Sequence, residues 1–211
     1  MSADDVHERV RSELATELSR LGSSKALYAA TEGELNADRV LRAAADAELA
    51  AAETFEAWAG DEENDAAAEV FAAIAAEERD HFDRVREELD DYDPDLGEDL
   101  LAIPSHLRSL DDTLERAGAL LGRILVADES KSQYVGYFVG DADPQTAAVF
   151  RDLRGDLEGQ RERALELIDR VGADEADLEV AREAAAAVVE IAYEEHVETL
   201  ESLGVDPKPV C

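Results

Sequence analysis

Phe71, Ile74, Glu78, His81 and Val85 recur at spacings of 3, 4, 3 and 4 residues, which places all five on one side of an α-helix. That side is the one a helix turns toward its neighbours. A carboxylate and an imidazole therefore stand where the pattern calls for leucine. An unpaired carboxylate taken out of water is costly, so a partner must meet it inside the core. The partner can be a metal ion, an inward-reaching arginine such as Arg79 or Arg123, or a second polar side chain.

The flanking sequence repeats the theme. Leu41, Ala44, Glu48, Ala51, Phe55 and Trp58 form a second stripe, again with a carboxylate in the middle. Gly60-Asp61 ends that helix, and so short a link makes the two helices antiparallel neighbours. Glu48 and Glu78-x-x-His81 are then expected at one level. A third stripe, Leu114, Gly118, Leu121, Leu125, Asp128, Ser132, Val135 and Val139, runs along a helix predicted over 107–139 and is interrupted by Asp128. Asp143-Pro144 opens a further helix to residue 171, and a last one spans 176–203. Ahead of them lies a helix over 3–21 carrying Val6, Val10, Leu14, Leu18 and Leu21, stopped by Gly22-Ser23-Ser24. Asn36 reads as an N-cap, although Arg39 stands where a capping box would put Glu. The non-periodic stretch 90–105 suits a crossover connection. Trp58-Ala59-Gly60-Asp61 matches Phe138-Val139-Gly140-Asp141 at an offset of 80, and the same offset lays Glu48 over Asp128.

These patterns predict an all-α protein: a ferritin-like four-helix bundle with additional N-terminal and C-terminal helices. The division is an N-terminal helical arm over 1–33, the bundle over 34–204 and a tail over 205–211. Alternating Val/Ile/Thr runs that would signal strands are missing.

Charge narrows the functional classes. The chain has 53 acidic and 20 basic residues, a net charge of −33. Its acid is spread evenly over regular apolar stripes, which argues against both a disordered chain and a discrete acidic tail. Such a surface suits a halophile's cytoplasm, where molar salt shortens the Debye length to about 3 Å. Gripping a nucleic-acid backbone needs clustered Lys and Arg, and no basic stripe is present. No apolar run is long enough for a membrane span, and the Met-Ser-Ala-Asp-Asp start lacks a signal-peptide pattern. The sole cysteine, Cys211, leaves no internal disulfide or CxxC site. Ser24-Lys25-x-x-Tyr28 and Ser130-Lys131-x-x-Tyr134 stand out in a chain with three lysines and read as salt-bridge anchors.

Glu48-x-x-Ala51-x-x-Thr54-Phe55-x-x-Trp58-Ala59, followed after a short turn by Phe71-x-x-Ile74-Ala75-x-Glu77-Glu78-x-x-His81, resembles the first half of rubrerythrin-type ferritin-like proteins. The resemblance implies a carboxylate-bridged di-iron site, with Glu48, Glu78, His81 and Asp128 as its metal ligands here. Manganese or zinc are the other metals that suit oxygen ligands with one imidazole. An enzyme of that type reduces peroxide or dioxygen with electrons from an external donor. The second half departs from the pattern: Leu157 and Gln160 stand where the fourth helix should carry Glu and His, leaving Gln160, Tyr193 or His196 to fill the gap. The rubredoxin-like cysteine module is missing as well.

The Gly-Ser-Ser-Lys-Ala-Leu-Tyr stretch, Phe-Val-Gly-Asp-Ala-Asp-Pro-Gln-Thr-Ala and the Pro-Lys-Pro-Val-Cys end are similar to a haloarchaeal group filed with the rubrerythrins. Some of that group carry the label of transcription antitermination proteins. The alternative is therefore a degenerate, non-enzymatic bundle that works through a protein partner, as a monomer or a homo-oligomer.

Overall fold

Most helices of the chain start on a side chain that accepts from their otherwise unpaired first amides. Asn36, Asn64, Asp112, Asp143 and Asp174 do this for the five long helices, and Ser2 with Asp5 closes a capping box on the first short one. The computed structural model describes residues 2–94 and 102–207. Its described elements are helical: α1 (Ala3–Glu13), α2 (Ala15–Leu21), α3 (Ser24–Ala30), α4 (Ala37–Asp61), α5 (Asp65–Arg86), α6 (Ala102–Arg108), α7 (Thr113–Gly140), α8 (Pro144–Val171) and α9 (Glu175–Ser202). Lys208 and Cys211 lie outside the described residues. No described helix is long and apolar enough to cross a membrane.

Two predicted helices are each divided. The span 3–21 breaks at Leu14, whose backbone (φ −108°, ψ 26°) ends α1 and starts α2. The predicted 107–139 helix is α6 followed by α7, because Asp112 takes extended backbone and caps Leu114 and Glu115.

Four long helices form a ring in which each neighbour runs antiparallel. Trp58 meets Phe71 edge-on and Glu48 lies beside His81, so α4 and α5 run in opposite directions. Phe138 stacks on Phe150 while Asp128 pairs with Arg154, which sets α7 against α8. Glu77–Arg163 and Arg84–Asp152 pair α5 with α8, and Asp61–Arg116 with Glu48–Lys131 pair α4 with α7. Helix α6, which lies between α5 and α7 in the chain, packs against α9, α4 and α7.

Helix α9 packs on the outer side of α7, parallel to it. Gly118 and Gly122 sit against Ala181 and Ala185; a Cβ on Gly118 would lie 2.7 Å from the Ala181 Cα, and one on Gly122 3.0 Å from that of Ala185. The missing side chains are what let the two backbones approach. The N-terminal segment is packed into the molecule: Val6, Val10, Leu18 and Leu21 belong to the same core cluster as Phe71 and Leu121.

That core is divided. One cluster holds Phe55, Trp58, Phe71, Ile74, Leu120 and Leu121; the other holds Leu41, Phe82, Val85, Tyr134, Phe138 and Phe150. Along α4 and α5 the boundary between them falls at Glu48, Glu78 and His81.

Candidate functional site

The boundary is a buried polar layer. Three of the four residues expected from the sequence meet in it. Glu48 on α4 and Glu78 and His81 on α5 are 2%, 0% and 1% exposed, and each offers a ligand atom within 4.8 Å of the others. The expected antiparallel pairing of α4 and α5 brings them together.

Asp128 does not join them. Its Oδ1 and Oδ2 accept from Arg154 Nε and Nη2 at 2.7 and 3.2 Å, and its side chain is 43% exposed. The inner side of α7 is instead lined by Arg123, Ala127, Lys131, Tyr134 and Phe138, all buried. In its first half α7 is covered by neighbours nearly all round, from Arg116 to Leu125. Of the predicted stripe, Gly118 packs on α9 beside Gly122, while Leu125, Asp128 and Val135 line a cleft toward α8.

Two cations occupy the layer where acidic ligands were expected. Lys131 Nζ donates to Glu48 Oε1 at 2.5 Å with 1% of its side chain exposed. Arg123 Nη2 donates to Glu78 Oε2 at 3.0 Å and lies 3.8 Å from Glu48 Oε2. From α8, Gln160 Nε2 donates to Glu78 Oε1 at 2.9 Å, at the position where the sequence comparison placed it. His81 Nε2 lies 3.2 Å from Asp156 Oδ2, and its Nδ1 is 3.6 Å from Glu48 Oε2.

Electrostatics follow this geometry. Burial raises the Glu48 carboxyl, but Lys131, then His81, Glu78 and Arg123, more than offset it and hold Glu48 well below the usual carboxylate range. Glu78 is pushed up by burial, with the Arg123 charge opposing and the Glu48 charge assisting. Burial opposes charging of His81, yet the adjacent Glu48 carboxylate and then the Glu78 charge raise its pKa. With His81 protonated, Arg123, Lys131 and His81 balance Glu48, Glu78 and Asp156.

A dinuclear metal centre does not fit this donor set. Its second half would be Arg123 and Lys131, which present only donors when charged. A divalent ion about 4 Å from the Arg123 guanidinium would meet repulsion on the order of 8 kcal/mol at an effective dielectric of about 20. A single ion is a different case. Glu48 Oε2, His81 Nδ1 and Gln160 Oε1 are buried without a hydrogen-bond partner; the two oxygens offer free lone pairs, and His81 Nδ1 adds a third only when the imidazole is neutral. A narrow cavity of about 130 Å³ reaches Glu48, Arg123 and Lys131 past Ile103, Pro104 and Leu107.

No family model, curated protein or solved structure matches this chain.

Tyr193 and His196 supply nothing to the layer. Arg20 Nη1 donates to the Tyr193 hydroxyl, and His196 sits near Arg20 and Lys25, where burial and then those charges depress its pKa. Arg79 pairs with Glu56 at the surface, so Arg123 is the arginine that turns inward. Lys131 is the residue that spacing failed to assign to Glu48. Its Ser-Lys-x-x-Tyr setting marked an ion-pair anchor, and the partner lies 83 residues away.

Proposed function

We propose that this chain is a ferritin-like bundle of rubrerythrin descent in which side-chain cations have taken over the place of metal ions. It acts as a rigid, non-enzymatic module that works through its acidic surface on a protein partner in a salt-rich cytoplasm. The observation that carries this reading is the Lys131–Glu48 contact at 2.5 Å beside the Arg123–Glu78 contact at 3.0 Å. These pairs neutralise the two buried carboxylates through covalently tethered charge. The antiparallel ring with its α5–α7 crossover, and the Glu48 and Glu78-x-x-His81 placement within it, support the ferritin-like ancestry.

The test is elemental analysis of protein purified in high KCl and given iron, manganese or zinc. Wild type is expected to hold well below one equivalent and to melt at the same temperature with and without a chelator. Stoichiometric metal that disappears in both Glu78→Ala and His81→Ala sinks the proposal. That result supports the second reading, a metal-binding protein, iron-dependent or otherwise. One observation favours it: the unpartnered Glu48 Oε2 and His81 Nδ1, 3.6 Å apart. On that reading Glu48, Glu78 and His81 hold one ion, and Asp128 is not a ligand.

A further inference from the structure

On the opposite side of α7 from the polar layer, a cleft of about 580 Å³ opens between α1, α2, α7 and α8. Its volume lies within the range of small-molecule sites, about 300–1,000 Å³. Its charge runs against the average of the molecule. In a chain with 53 acidic and 20 basic residues, this cleft is lined by Arg11, Arg151, Arg154 and Arg161 against Asp128, Glu129 and Glu158.

Two of the guanidiniums are committed. Arg154 chelates Asp128 at 2.7 and 3.2 Å, and Arg161 pairs with Glu158 at 2.5 Å. No ion pair or hydrogen bond to another described residue engages the Arg11 or Arg151 side chain, and both line the cleft. His7 adds a buried Nε2 with no hydrogen-bond partner. Burial, then the charges of Arg161 and Arg11, lower the His7 pKa, which marks the positive local field. Burial and then Asp128 raise the Glu129 carboxyl, while Arg11 and Arg154 oppose the rise. Beneath the charges the floor is apolar, formed by Leu18, Leu125 and Leu157.

Two uncommitted arginines lining a cleft with an apolar floor suit a ligand with an anionic head and an apolar body. A guanidinium fork matches phosphate oxygens two at a time, which a point charge cannot do. We infer that this cleft binds a small organic phosphate, its head held by Arg11 and Arg151 and its body on Leu18, Leu125 and Leu157. At molar salt the reach of a charge is about 3 Å. Only direct contact of this kind holds an anion on so acidic a protein.

The 211-residue chain, kept folded in high KCl, is titrated with phenyl phosphate and separately with inorganic phosphate. Heat and the ring NMR signals of His7, assigned through His7→Asn, are followed. Phenyl phosphate is expected to bind and shift the His7 signals, at least tenfold more tightly than inorganic phosphate. Arg11→Gln and Arg151→Gln each weaken binding about tenfold, while Arg86→Gln on α5, the same change in net charge, leaves it within twofold. Melting temperatures confirm that each variant folds. An unmoved His7, equal loss in Arg86→Gln, or equal affinity for both ligands overturns the assignment.

Discussion

Replacing Lys131 by methionine keeps most of the stem volume and removes the charge that faces Glu48. At 2.5 Å and an effective dielectric of about 20, the lost attraction is about 7 kcal/mol. Part of that is offset, since the lysine no longer has to leave water on folding. Breaking a buried pair from one side typically costs about 3–5 kcal/mol, because a charge is stranded. Two neighbours soften the loss here: Arg123 Nη2 at 3.8 Å and His81 Nδ1 at 3.6 Å from Glu48 Oε2. The expected cost of Lys131→Met is therefore near the lower end, about 3 kcal/mol, or a fall of about 6–12 °C in melting temperature for a chain of this size. Urea unfolding in molar KCl, read from the buried Trp58, measures it. Glu48→Met on that background removes the stranded charge and is expected to recover at least half of the loss. Arg39→Met, which breaks an exposed pair with Glu34, should cost under about 1 kcal/mol. If Lys131→Met costs no more than Arg39→Met, the buried layer is not held by paired charge and the reasoning fails.

Other consequences are open to measurement. Lys131→Met leaves Glu48, Glu78 and His81 with one tethered cation fewer, so millimolar zinc or manganese should raise its melting temperature by several degrees and leave wild type unmoved; equal shifts refute this. Gly118→Ala and Gly122→Ala press a Cβ into the α9 backbone and should each cost about 1–3 kcal/mol. Gly136, with open space around its Cα, should gain about 0.5–1 kcal/mol from the same change. Stability should also depend on pH at both ends. Glu48, held below its unfolded pKa of about 4.3, stabilises above that pH and loses the contribution as pH falls through its folded value. His81, raised above its unfolded pKa of about 6.5, stabilises fully below that pH and loses the contribution as pH rises through its folded value. Unfolding free energies compared between wild type, Glu48→Gln and His81→Asn should show each limb flattened in its own variant.

The helical character and the meeting of Glu48, Glu78 and His81 were legible in the order of residues. Both rest on local rules: period 3.6 along each helix, and a short link that forces α4 and α5 to run antiparallel. Asn36 and Asp143 were readable as caps for the same reason, since a cap involves only the next turn. The place of Asp128 was not readable. Helix α7 touches α4, α8 and α9, so its apolar residues fill more than one stripe, and periodicity cannot say which stripe faces which neighbour. The offset of 80 aligned the turns after Trp58 and Phe138 correctly. It did not fix the helix's rotation, which the Gly118 and Gly122 contact with α9 decides. Nor could spacing pair Lys131 with Glu48 across 83 residues. A buried charge shows in sequence only as a polar interruption of an apolar stripe. What neutralises it depends on which side chains the tertiary packing brings within hydrogen-bond reach.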